Sequence, residues 1–96
     1  MNSKSFDLVW SPESLRQIKK IKKNKSKEET EKYFERIKEL IENIQTSPFS
    51  GIGKPEPLKH RIPPCWSRRI NSEDRLIYRI YKNEIQIVSI LGHYNK

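Results

Sequence analysis

The sequence has little of what would mark a secreted, membrane-spanning or metal-rich protein. Its single cysteine, Cys65, excludes an intramolecular disulfide and any cysteine-rich zinc site. No apolar run approaches the roughly 18 residues that cross a bilayer. The first ten residues lack the apolar stretch of about 7–15 residues that a secretory signal needs. No internal repeat and no low-complexity linker divides the chain. Apolar residues make up only 33% of the 96, so the core must be small and most apolar side chains are needed for it. These absences predict one domain over residues 1–96, in a reducing, cytoplasmic compartment, with no membrane partner.

Charge is plentiful instead. Twenty Lys and Arg against twelve Asp and Glu give a formal charge of +8, unevenly spread. Residues 1–27 carry eight basic and two acidic side chains, residues 28–46 three and six, and residues 47–96 nine and four. The ends are therefore basic and the middle acidic, which predicts that one face turns towards a polyanion and another away from it. The densest basic run is Lys19-Lys20-Ile21-Lys22-Lys23-Asn24-Lys25-Ser26-Lys27. It can be a solvated helix end with favourable dipole contacts, or a nucleic-acid contact.

Phe6, Leu8 and Trp10 alternate with Asp7 and Val9, the pattern of a short strand. Ser11-Pro12 then supplies an N-cap and a first-turn proline, and Leu15, Ile18 and Ile21 predict a helix over 12–24. Ser26 and Glu29 fit a capping box. A second helix follows, with Tyr33, Ile37, Leu40, Ile41 and Ile44 as its core stripe, and ends before Pro48. Residues 47–57 hold three prolines and two glycines and are expected to be loop. Three strands are expected afterwards, at 66–70, 75–81 and 84–91, the last two joined by a tight turn at Lys82-Asn83. Helices followed by strands predict an α+β fold, two N-terminal helices packed on a twisted antiparallel sheet.

Several residues in the second half could do chemistry. Glu56 lies between Pro55 and Pro57, which stiffen the backbone that carries its carboxylate; a loop glutamate can also simply face solvent. Arg75 and Arg79 share a strand face that a pure core would not carry, unless they snorkel at a sheet edge. His93, beside Tyr94, is one of two histidines, and a histidine so close to the end of the chain is often only a surface residue. Together these groups are the parts needed to cleave RNA by internal transesterification. A base takes the 2′-OH proton, an acid protonates the 5′-oxygen, and a guanidinium stabilises the charged phosphorane. Ordinary pKa values near 4.3 and 6.5 assign base to a glutamate and acid to a histidine. No metal-ligand spacing appears, so no metal or cofactor is expected.

Five blocks resemble one family. They are Val9-Trp10-Ser11-Pro12-Glu13-Ser14, Pro48-Phe49-Ser50-Gly51-Ile52-Gly53-Lys54-Pro55-Glu56-Pro57-Leu58-Lys59-His60, Trp66-Ser67-Arg68-Arg69-Ile70, Arg75-Leu76-Ile77-Tyr78 and His93-Tyr94. In order and over nearly the whole chain, these resemble the YoeB/Txe toxins, a branch of the RelE-type bacterial toxin superfamily. The resemblance implies a microbial-ribonuclease-like fold and a metal-independent endoribonuclease that cuts mRNA in the ribosomal A site and halts translation. It implies Glu56 as general base, His93 as general acid and Arg75 as the phosphate-stabilising arginine. It further implies RNA contacts from Lys59, Arg69 and Tyr94. The partners it implies are the ribosome, mRNA, an acidic YefM-like antitoxin and, for the free toxin, a second copy in a homodimer. Two rival readings need less: a gyrase-inhibitor-like superfamily member without acid–base residues, or a plain RNA-binding module that cuts nothing. The chain differs from the usual family pattern in the residues Asn95-Lys96 after the tyrosine, in Leu15 where an aromatic is common, and in the length and lysine content around 19–27.

Overall fold

The computed structural model describes residues 6–59 and 64–92; His60, His93, Tyr94, Asn95 and Lys96 lie outside the described residues. The chain runs β1 (Asp7–Trp10), α1 (Pro12–Asn24), α2 (Lys27–Thr46), β2 (Glu56–Leu58), β3 (Cys65–Arg69), β4 (Arg75–Tyr81) and β5 (Glu84–Gly92). This is the α+β fold that the sequence predicts, two helices on a five-stranded sheet of order β1-β5-β4-β3-β2. β2 to β5 are antiparallel, but β1 pairs with β5 in parallel, so the sheet is mixed rather than antiparallel throughout. The long excursion between β1 and β5 leaves the chain free to return in either direction, so strand spacing alone does not set this pairing.

Both helix starts are chemically specified. Ser11 Oγ accepts from the Ser14 N–H at 3.0 Å, with Pro12 at the first helical position, where a missing N–H costs nothing. Ser26 and Glu29 close a full capping box, each side chain satisfying the other's backbone amide at 3.1 Å. The predicted stripe on α2 is buried: Tyr33, Ile37, Leu40 and Ile44 pack with Ile21 of α1 against Leu76, Tyr78, Ile85, Ile87 and Ile90 of the sheet. The opposite sheet face carries a smaller apolar cluster, Leu58, Cys65 and Ile77, with Val88 against it. Alternation along each strand sends neighbouring residues to these two faces.

Tyr33 ties the start of α2 to the β3–β4 turn: its hydroxyl donates to Asp74 Oδ2 at 2.8 Å and lies 3.2 Å from the Ile90 carbonyl. Burial, then the hydrogen bond to Asp74 and its negative charge, hold this hydroxyl well above the ordinary phenol range. The sign of the linkage follows. Below about pH 10 the tyrosine keeps its proton in both folded and unfolded chains, so the contribution is complete. Above that, the unfolded chain releases a proton that the folded chain retains, and stability falls as pH rises. Urea midpoints measured from pH 9 to 11 should drop less steeply for Tyr33→Phe than for the wild type; parallel slopes would refute the assignment.

Candidate active site

The sheet face away from the helices gathers most of the residues singled out in the sequence. Glu56 opens β2 and is paired with Ser67, which is paired with Ile77. Two residues along β3, Arg69 is paired with Arg75, and Arg75 with Gly92. Strand spacing near 4.8 Å and a rise near 3.4 Å per residue place the α-carbons of Glu56 and Arg75 about 12 Å apart. Both side chains project from one face of the sheet. Glu56 and Arg69 are exposed and Arg75 is half-buried. Ser67 lies between Glu56 and Ile77 with its hydroxyl buried and without a hydrogen-bond partner among the described residues. Arg79 lies on the same face further along β4, where its Nε donates to Gln86. Lys59 sits just beyond β2, at the opposite end from the arginine pair, and is exposed. His93 and Tyr94 fall outside the described residues, directly after the strand end that borders Arg75.

The expected loop over 47–57 is correct only as far as Pro55, since Glu56 and Pro57 belong to β2. β2 is one of the two edge strands, and an edge tolerates a proline where a missing N–H costs no ladder bond. Glu56 is therefore held by strand pairing as well as by its flanking prolines.

Arg68 anchors the loop that leads into Glu56, and it was not singled out as a functional residue from the sequence. Its side chain is completely buried on the helix side of β3. The guanidinium donates to the carbonyls of Ser47 at 2.6 Å, Ser50 at 2.9 Å and Ile52 at 2.9 Å, and to Asn43 Oδ1. Its Nε lies 3.2 Å from the Tyr78 hydroxyl, which donates to the Pro48 carbonyl at 2.6 Å. Burial raises the Tyr78 pKa, partly offset by the neighbouring guanidinium. No carboxylate is among these partners: loop carbonyl dipoles hold the charge, so the cation and the loop conformation require one another.

The glycines of that loop are equally constrained. Gly51 and Gly53 have φ of 115° and 80°. A Cβ on Gly53 would meet Leu40 Cδ2 at 2.7 Å and Arg68 Cβ at 3.2 Å. The close approach lets the Gly53 carbonyl accept from Arg69 N–H at 2.7 Å, which joins the loop to β3. One signal for Arg68 does exist in the sequence. Two adjacent arginines on a strand must face opposite sides, so one of Arg68 and Arg69 had to turn inward.

Gln17 was also missed. Between Arg75 and Tyr78, β5 carries extra residues relative to β4, a bulged stretch that interrupts the regular ladder. Gln17 of α1 reaches this stretch: its Oε1 accepts from the N–H groups of Ile90 at 2.7 Å and Leu91 at 3.2 Å. Gln17→Ala leaves those amides unpaired and should cost about 1–3 kcal/mol. Hydrogen exchange at Ile90 and Leu91 should accelerate; unchanged protection there would disprove the contact's importance.

The face thus presents a carboxylate, three guanidinium groups and the end of β5 on one sheet, an arrangement suited to acid–base work on a phosphodiester. Its architecture is that of bacterial toxin proteins. The YoeB dimer from Staphylococcus aureus covers 94% of this chain and 99% of its own at 35% identity, with a TM-score of 0.79. The S. aureus YoeB–YefM complex gives 93% and 98% coverage at 36% identity and a TM-score of 0.76. A sequence profile of the YoeB-like toxins of bacterial type II toxin–antitoxin systems matches residues 10–94. Toxin YoeB of Synechocystis sp. is 51% identical over 65 residues, 68% of this chain and 76% of that protein. The chain belongs to the YoeB family of type II toxins.

Proposed function

We propose that the protein is a ribosome-dependent mRNA endonuclease that cuts in the A site by 2′-OH transesterification. The observation that carries this reading is the placement of Glu56, Arg69 and Arg75 on one open sheet face in a chain of the YoeB family. Glu56, as base, takes the proton of the 2′-OH, and the 2′-oxygen attacks the adjacent phosphorus. The bond from phosphorus to the 5′-oxygen breaks, and His93, as acid, gives that oxygen its proton. The products are a 2′,3′-cyclic phosphate and a free 5′-OH. Arg75 stabilises the extra negative charge of the phosphorane. Lys59, Arg69 and Tyr94 hold the RNA strand around it. Every step draws on side chains of this chain.

The same reading supplies the partners. An acidic YefM-like antitoxin, with a segment that folds on binding, would cover the basic face and keep the nuclease silent. The S. aureus structures of a YoeB–YefM complex and a YoeB dimer support such an antitoxin and a homodimer of the free toxin. Charge-driven antitoxin binding should weaken with salt.

The test is in vitro translation of a defined mRNA with the protein, with and without ribosomes, followed by mapping of the cut ends. A 2′,3′-cyclic phosphate within the A-site codon, seen only with ribosomes, is the expected result. Equal cutting of naked RNA would overturn A-site dependence, and intact mRNA would overturn the nuclease.

A further inference from the structure

The lysine run of α1 has no role in the proposed chemistry, yet the fold brings it to the end of the sheet that carries the arginine pair. A concavity of about 200 Å³ is lined by Lys20, Ile21, Asn24, Lys25, Asp74 and Leu91. A second, of about 260 Å³, is lined by Lys25, Glu29, Lys32, Arg36 and Asn71 among others. Lys25 borders both, at the elbow between α1 and α2. Asp74 of the β3–β4 turn and Leu91 of β5 complete the first, and Ile70 and Asn71 of the same turn complete the second. That turn joins Arg69 to Arg75, and Leu91 directly precedes Gly92, the pairing partner of Arg75. Arg36 donates to the Arg69 carbonyl at 3.2 Å. The basic elbow and the candidate active site are therefore two sides of one turn.

Lys20, Lys25, Lys32 and Arg36 outnumber the two carboxylates that line the same concavities, Glu29 and Asp74. Among the described residues the ion pairs are Arg16–Glu13 and Arg36–Glu39, and no lysine has a carboxylate partner. Both carboxylates accept from neutral donors, Glu29 from the Ser26 amide and Asp74 from the Tyr33 hydroxyl, and neither is paired with a lysine. Lys25 Nζ rests 5.6 Å from the Tyr33 ring centroid, which fixes its position without neutralising it. Apolar neighbours are buried here, Ile21 at 3%, Tyr33 at 6% and Ile70 at 7% exposure. The surface thus offers cations without the exposed aromatic or aliphatic anchors on which a protein partner would depend.

We infer that Lys20, Lys25 and Lys32 form a second binding site for the phosphodiester backbone of RNA, continuous around the β3–β4 turn with the site of Glu56 and Arg75. The identification of the polyanion as RNA rests on the proposed nuclease function; the existence of the site rests on the placement of the lysines. The RNA can be the cut strand running past the active site or a folded RNA beside it, and both present the same phosphates.

The test measures RNA affinity against salt in the Glu56→Gln background, so that cleavage plays no part. One variant carries Lys20→Gln, Lys25→Gln and Lys32→Gln. A charge-matched control carries Arg16→Gln, Lys22→Gln and Lys38→Gln. Each phosphate contact contributes about 0.7 to the slope of log affinity against log salt for a single strand. Loss of three contacts should therefore lower the slope by about 2. From 50 to 200 mM salt, affinity of the Glu56→Gln parent should fall about twentyfold more than that of the elbow variant. The control should keep a slope within about half a unit of that parent. A loss confined to a single-stranded oligonucleotide assigns the elbow to the cut strand, and one confined to a duplex hairpin assigns it to folded RNA; either supports the site. Equal slopes for the elbow variant and its parent, or equal losses for elbow and control variants, would overturn it. Cleavage by the wild-type protein is scored separately, so a failed nuclease reading leaves this result interpretable.

Discussion

Glu56→Gln should lower A-site cleavage by about 10²–10⁴-fold, the usual contribution of a positioned acid or base. The substitution keeps the size and hydrogen-bonding capacity of the side chain and removes only the group that can accept the proton. Glu56 is exposed at the first position of an edge strand, so its charge supports no buried network, and the variant should unfold at the same urea concentration as the wild type. A loss of rate without a loss of stability is the signature of a chemical role. His93→Gln should give a loss of similar size, because proton delivery to the leaving oxygen is the other half of the reaction. Both variants should still bind ribosomes, since the cationic contacts remain. Toxicity that survives both changes would refute the assignment of base and acid.

Arg68→Met should have the largest effect on stability. The thioether fills part of the space but leaves the carbonyls of Ser47, Ser50 and Ile52 and the side chain of Asn43 without their donor. Each acceptor left without its donor costs about 1 kcal/mol or more, so the set costs about 3–5 kcal/mol, against a total of roughly 5–15 kcal/mol for a small domain. At about 4–8 °C per kcal/mol for a domain of this size, the melting temperature should fall by some 12–40 °C. Arg68→Lys should recover only part of the loss, because an ammonium has three donors on a flexible stem and cannot hold carbonyls in a planar fork. At low temperature, where the variants remain folded, hydrogen exchange should be fastest in residues 47–53, and cleavage should fall with the order of that loop. A stability change below about 1 kcal/mol for Arg68→Met would show that solvent replaces the guanidinium without penalty.

These two residues also mark what the sequence makes legible. The helices announce themselves through local chemistry: the Ser11-Pro12 start and the Ser26/Glu29 box define α1 and α2 almost to the residue. β4 matches its expected span, because alternation and a tight turn at Lys82, with φ of 53°, are local signals. β2 was hidden because prolines signal loop, and only its place at the edge makes Pro57 acceptable. The parallel pairing of β1 was hidden because it depends on packing between segments far apart in the chain. In the candidate site, Glu56 and the arginines stand out by residue type and family motif. Gln17 and Arg68 act by binding backbone groups, and backbone groups leave no mark on a sequence. The register also places Arg75, rather than Arg79, at the arginine pair beside the end of β5, a choice that charge and alternation alone do not make.

The position of β5 bears on when the protein becomes whole. β5 is the last strand of the sheet to be synthesised, yet it lies between β1, the first, and β4. Ser11 reaches the Val88 carbonyl across 77 positions of sequence, and Gln17 reaches Ile90 across 73. On a translating ribosome β1 and α1 must wait with their apolar sides uncovered until β5 has emerged, a closure that non-local pairing makes slow. The arginine pair acquires its third strand at the same moment. A chain stalled before Ile85 should therefore leave α1 undocked and β1 without its pairing partner.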